Sequence, residues 1–123
     1  MAETRHLQHV ATGRAPEFLL DAYRGMQTIR MFESQVLQLS RGEAPEVVGS
    51  VHLCAGQEAI PVGALAALRP DDRVVATYRG HGWALESGIT PDELMAEICH
   101  REAGINGGRA GSPYVTAPQR RFI

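Results

Sequence analysis

Arg73-Val74-Val75-Ala76-Thr77 is the one run in this chain that reads convincingly as a β-strand, and its solitude limits the fold more than any other feature. A strand buried on both faces needs neighbours to take up its backbone N–H and C=O groups. No other segment of the 123 residues offers β-branched, apolar residues of similar quality. The expectation is therefore an α/β chain, mostly helical, with one or two strands of a parallel sheet that is completed from elsewhere. The 44% of hydrophobic and 21% of charged residues suit one globular domain with a modest core.

The helices are written in the spacing of apolar residues. Leu19, Tyr23, Met26, Ile29, Phe32, Val36 and Leu39 recur at steps of three and four, which lays them along one helical face from about Pro16. Arg24, Arg30, Glu33, Gln35 and Gln38 fall mostly off that stripe, and Ser40-Arg41-Gly42 followed by Pro45 ends the helix. A second helix is predicted over about Gln57–Leu68, where Ala59, Gly63, Ala64, Ala66 and Ala67 make a small-residue surface open to close approach. Gly82–Glu86 reads as a short helix closed by Ser87-Gly88. Thr90-Pro91-Asp92-Glu93 has the layout of a capping box, so another helix should run from Pro91 to about His100. Residues 1–15 show no period and read as a flexible lead-in to a domain over 16–123. Four glycines between Gly104 and Gly111 break regular structure.

Charge and topology exclude some classes of partner. A net charge of -2 and a pI near 6.2 give no general field for nucleic acid. No apolar stretch is long enough to span a bilayer, and the opening residues lack the apolar core of a signal peptide, so the expected location is the cytoplasm. Cys54 and Cys99 are far apart and lack metal-ligand spacing, which favours buried reduced thiols.

Several residues carry possible chemistry. Arg79 offers a planar fork of donors suited to phosphate oxygens, and Tyr78 adds a hydroxyl beside it just after the predicted strand. A helix beginning at Gly80 or His81 would aim unpaired amides at the same anion. Taken alone, the Tyr-Arg pair reads better as a surface ion-pair site than as an anion site. His52, taken alone, reads as a satisfied histidine at a strand or loop end, and Gln57 and Glu58 read as residues that cap and complement a helix start. His81 either approaches a ligand, orients Arg79, or supports the loop from behind. The glycine-rich segment lacks the Gly-Lys-Ser/Thr ending of a nucleotide phosphate loop.

The blocks HLCAGQEA and TYRGHG, with the ALRPDD turn between them, resemble the alpha subunit of the thiamine-diphosphate-dependent 2-oxo acid dehydrogenases. These are the decarboxylating components of the pyruvate, branched-chain and acetoin complexes, and the resemblance runs from about Tyr23 to Phe122. It implies the N-terminal portion of a thiamine-diphosphate-binding fold. It assigns Tyr78, Arg79 and His81 to the cofactor, with the Tyr-Arg pair on its diphosphate, and His52 to catalysis on the substrate side. The implied activity is decarboxylation of a 2-oxo acid with transfer of the acyl group, to lipoamide in the dehydrogenase complexes. A stand-alone carboligase or acyltransferase, and a non-catalytic stabilising partner, are the alternatives.

The family's Gly-Asp-Gly…Asn motif, which holds Mg2+ and the diphosphate, has no counterpart here. No metal ligand can be named in this chain. The resemblance therefore implies a divided alpha subunit, inactive alone, with a second alpha-subunit chain carrying that motif and a beta subunit supplying a glutamate, assembled as a hetero-oligomer with two copies of each chain. The loop Gly104–Ser112 resembles the family's Gly-Lys-Gly-Gly-Ser-Met-His segment but departs from it at Ala110, Pro113 and Tyr114, which leaves the substrate and acceptor open.

Overall fold

A computed structural model of the chain describes residues 16–123. The lead-in expected over residues 1–15 lies outside the described residues. The structure is helical: α1 spans Pro16–Leu39, α2 Ala59–Leu65, α3 His81–Glu86 and α4 Pro91–Ile98, with a 3₁₀ turn at Pro118–Arg120. The short α3 sits at the centre and packs on α1, α2 and α4. That approach is close because residue 82 is glycine. A Cβ there would stand 2.9 Å from Pro61 Cγ on α2 and 3.2 Å from Cys54 Sγ.

α1 begins and ends where the periodicity predicts, but only the C-terminal part of its stripe is covered. Ile29, Phe32 and Val36 are buried, whereas Leu19 and Tyr23 are 52% and 56% exposed. Glu33, read from sequence as off the stripe, is fully buried. It stands four residues after Ile29 and three before Val36, so the helical turn carries it inward with them. α2 is shorter than predicted. Its first regular residue is Ala59, and beyond Leu65 the chain continues to Leu68 in tighter i→i−3 turns. Pro61 and Val62 form its buried face, while Ala59, Gly63, Ala66 and Ala67 of the small-residue surface face outward. α4 has the predicted capping box: Thr90 Oγ1 accepts from the Glu93 amide, and the Glu93 carboxylate accepts from the Thr90 amide at 2.9 Å. Leu94 and Ile98 carry that helix into the core, and Ile89 is buried just before its cap.

The strand expected over Arg73–Thr77 is corrected. Among the described residues the only β pairing is a pair of isolated bridges: Val74 beside Phe122 in parallel, and Ala117 beside Phe122 in antiparallel. The Val74 amide donates to Arg121 O at 2.7 Å, and the Ile123 amide to Val74 O at 2.9 Å. Val74 therefore finds its partner in this chain's own last residues, a segment with no strand period. Val75 is 77% exposed, because β preference expresses packing against neighbours and here one face has none. The buried thiols are borne out for Cys54; Cys99 is free but only partly buried.

Buried and paired carboxylates set the acid stability. Arg120 grips Glu93 with two hydrogen bonds of 2.6 and 2.8 Å, and the Glu93 carboxyl is held at about 2, first by that guanidinium and then by Thr90. Glu58 is likewise held at about 2, chiefly by Arg30. Both bind a proton more weakly when folded, so their stabilisation is complete above the ordinary value of 4.5 and disappears as pH falls towards 2. Glu86, pushed up by burial, acts in the opposite sense. Thermal melts across pH should accordingly show a plateau above about pH 5 and a loss of stability below it. Glu93→Gln should reduce that loss, and an acid limb identical to wild type would remove Glu93 from it.

Candidate functional site

Three of the four residues singled out from the sequence meet on one exposed surface. The rings of His52 and Tyr78 lie edge to face, 4.6 Å between centroids at 63°. Arg79 Cζ stands 5.7 Å from the Tyr78 centroid, and the Arg79 guanidinium donates to the carbonyl of Leu53. This last contact ties the loop before α3 to the segment 52–54, across 26 residues of sequence. Tyr78 is 54% exposed and Arg79 is exposed as well, so a cation and a phenol are offered outward together. Larger hollows lie elsewhere: about 400 Å³ between Met31 of α1 and Met95 of α4, and about 260 Å³ around Phe18 and Glu86.

The fourth residue, His81, is behind this surface rather than on it. It is 1% exposed, with Nδ1 3.1 Å from Glu33 Oε2 and Nε2 2.8 Å from Ser112 Oγ. Phe32 meets its ring edge-on at 5.8 Å. Of the alternatives left open by the sequence, the contacts are those of a residue supporting the loop from behind. The other oxygen of Glu33 accepts from the Cys54 amide at 3.0 Å and from Cys54 Sγ at 2.9 Å. Burial pushes the Glu33 carboxyl up, but the hydrogen bonds from His81 and Cys54 outweigh it and hold the group below its ordinary value. Burial and the Glu33 carboxylate push the Cys54 thiol up to about 12, so it is no nucleophile.

Glu58 is buried too and stands at the N-cap position of α2, where the sequence reading places it, but its side chain is engaged elsewhere. It makes no side-chain cap on α2. Its Oε1 accepts from the Gly56 amide at 2.8 Å and from Arg30 Nε at 2.5 Å, which fastens the turn after Cys54 to α1.

The glycine-rich loop is organised by Glu97, which the sequence reading passed over. Glu97 is fully buried, and its oxygens accept from the amides of Asn106, Gly108 and Ala110 at 2.7, 2.9 and 2.7 Å. Burial raises its proton affinity, and the loop amides more than reverse that, so the carboxyl is held low. Gly104 must lack a side chain, since a Cβ there would lie 2.5 Å from Glu97 Cα. The loop then passes Ser112 to His81. The gap left near Thr77, Gly80, His81 and Ser112 is about 20 Å³, room for one water at most. A helical wheel would have found both missed acids, because Glu33 and Glu97 fall three or four residues from buried Ile29 and Leu94. Asn106 adds a second clasp, accepting from the Thr116 amide at 3.1 Å and donating to Thr116 O at 2.9 Å.

Residues 23–123 match the family model described as Dehydrogenase E1 component. The chain is 42% identical over 100 residues to the alpha subunit of acetoin:2,6-dichlorophenolindophenol oxidoreductase of Cupriavidus necator, covering 80% of this chain and 29% of that protein. It is 42% identical over 108 residues to the pyruvate dehydrogenase E1 component subunit alpha of Zymomonas mobilis, covering 87% and 30%. With the somatic, mitochondrial form of that subunit from Homo sapiens it shares 38% over 98 residues, covering 80% and 25%. The chain thus spans less than a third of the length of these relatives.

The Glu97 clasp yields a test that needs no ligand. Glu97→Ala strands several loop amides in a partly buried place and should cost at least about 2 kcal/mol. Denaturant unfolding would measure this, and amide exchange at Asn106, Gly108 and Ala110 should accelerate. Wild-type protection of those amides in the variant would show that the loop holds itself.

Proposed function

The chain belongs to the dehydrogenase E1 component family, and on that premise we propose that it forms the diphosphate-binding face of a thiamine-diphosphate-dependent 2-oxo acid dehydrogenase, as part of the alpha subunit. The observation that carries this reading is the meeting of His52, Tyr78 and Arg79 on one surface, from segments 26 residues apart. The donor set suits the group. Arg79 presents a planar fork of cationic donors, and its partners among the described residues, a carbonyl and an aromatic face, carry no negative charge. The hydroxyl of Tyr78 stands beside it for a second phosphate oxygen.

Thiamine diphosphate, when bound, supplies the decarboxylation of a 2-oxo acid and the onward carriage of the acyl group. The residues of this chain bind and orient. Arg79 and Tyr78 would hold the diphosphate end. His52, held against the Tyr78 ring, would present an imidazole to the substrate side, where it can donate to developing negative charge. His81 would act at one remove, seating the Tyr78–Arg79 loop rather than touching the cofactor.

The described residues gather no cluster of three or more His, Cys, Asp or Glu fit to hold a metal ion. In this proposal Mg2+ is held by the Gly-Asp-Gly…Asn segment, which lies outside residues 1–123, and a beta subunit closes the surface. Lipoamide is the proposed acceptor of the acyl group. A second reading, transfer to another carbonyl or amine, is favoured by Tyr114, 76% exposed beside buried Ser112 at the point where the loop departs from the family's pattern.

Two substitutions separate binding from chemistry. In the assembled enzyme Arg79→Ala should weaken thiamine diphosphate binding by about 2–4 kcal/mol, the scale for losing a charge-assisted contact in a partly desolvated site. Calorimetry decides, and equal affinities would take Arg79 out of the site. His52→Ala should leave that affinity nearly unchanged while slowing single-turnover decarboxylation by about 10²-fold or more. Undiminished decarboxylation would return His52 to a structural role.

A further inference from the structure

Glu33 touches no part of the exposed surface, yet its two oxygens hold both segments that build it. Oε1 takes the amide and thiol of Cys54, two residues beyond His52 and next to the Leu53 carbonyl that receives Arg79. Oε2 faces Nδ1 of His81, two residues beyond Arg79, and the far side of that ring reaches Ser112 of the glycine-rich loop. We infer that Glu33 is a positioning residue: through Cys54 and a directed Glu33–His81–Ser112 relay it sets the register of His52 against Tyr78 and Arg79. The functional consequence rests on the diphosphate reading of that surface, whereas the relay itself does not.

The direction of the relay follows from hydrogen inventory. An ionised carboxylate only accepts, so the hydrogen of this contact sits on His81 Nδ1. In the neutral ring Nε2 is then the acceptor, and Ser112 donates its hydroxyl to it. Glutamine at position 33 would have nearly the same shape but would replace one oxygen with an NH2 group. The Cys54 backbone amide cannot become an acceptor, so the glutamine oxygen stays there and the NH2 confronts His81. The ring must then move its hydrogen to Nε2, and Ser112 must turn to accept. Only an acid at position 33 satisfies all the donors with the ring in its native sense. Phe32 fixes the ring plane from the same helix, which limits the alternative of rotating the imidazole away.

The test reads the tautomer directly. Imidazole 15N spectra of the full chain should place a hydrogen on His81 Nδ1 in wild type and on Nε2 in Glu33→Gln, while Ser112→Ala should keep Nδ1–H and move only the Nε2 signal. In the assembled enzyme Glu33→Gln should weaken thiamine diphosphate binding, with Mg2+ present, by about tenfold or more, as outer-shell partners commonly do. A residue that merely filled the core would lower the melting temperature without switching the tautomer. Nδ1 without hydrogen, or hydrogen on both ring nitrogens, in wild type overturns the proposal, and so does unaltered affinity in a folded Glu33→Gln enzyme. If Glu33→Gln does not fold, the wild-type and Ser112→Ala spectra decide. If wild type itself fails to bind thiamine diphosphate, the cofactor reading falls and the relay stands or falls on the spectra alone.

Discussion

The structure depends on the placing of one charge in a dry interior. An unpartnered carboxylate buried like Glu33 would be prohibitively expensive, and its cost is offset only when several donors converge on it. Those donors come from Cys54, 21 residues away along the chain, and from His81, 48 residues away. None is a neighbour on α1. The carboxylate therefore behaves as a checkpoint: a fold that leaves α3 or the 52–54 segment out of place leaves a buried charge exposed to no solvent and no donor. Hydrophobic contacts among Ile29, Phe32, Val36 and Leu85 bring the same segments together, but they tolerate slippage that hydrogen bonds do not.

Glu97 repeats the device on α4. A loop with glycines at 104, 107, 108 and 111 has little intrinsic preference for one path, and losing that freedom has an entropic cost that side-chain burial alone does not offset. Amides directed at a single buried carboxylate make the path specific. The loop's far end is then delivered to His81 by Ser112. Two helices thus each contribute one internal acid, and the imidazole between them joins the loop of one to the site segments held by the other. This is why the exposed surface can be built from loops and still have a defined geometry.

How much of this was legible in the sequence follows from the range of each interaction. α1 and α4 were readable because their determinants are local: apolar residues at helical spacing, a Thr-Pro-Asp-Glu cap, a glycine-containing stop. Resemblance alone singles out the Tyr78–Arg79 pair and His52, and the structure shows these side chains as neighbours. The strand was misread because a β-branched run records only a capacity to pair, and whether Val75 is covered depends on residues far away. Phe122 as the partner of Val74 gave no local sign at all. Glu33 was misplaced for a different reason. Treating charge as a marker of the outer face overrode its position three or four residues from Ile29 and Val36, where the helical repeat points inward.

The inward use of acids also shapes the electrostatics of the site. The two carboxylates bonded to the 54–56 turn, Glu33 and Glu58, are both buried and occupied by donors. Were either to face outward beside Arg79, it would neutralise the guanidinium and compete with any phosphate for it. Glu33 is spent on Cys54 and His81 and Glu58 on Arg30 and Gly56, while the partners of Arg79 among the described residues are a carbonyl and an aromatic ring, in a chain whose net charge is -2. The anion-binding character proposed for this surface is thus a local property, made by hiding negative charge in the core rather than by accumulating positive charge outside.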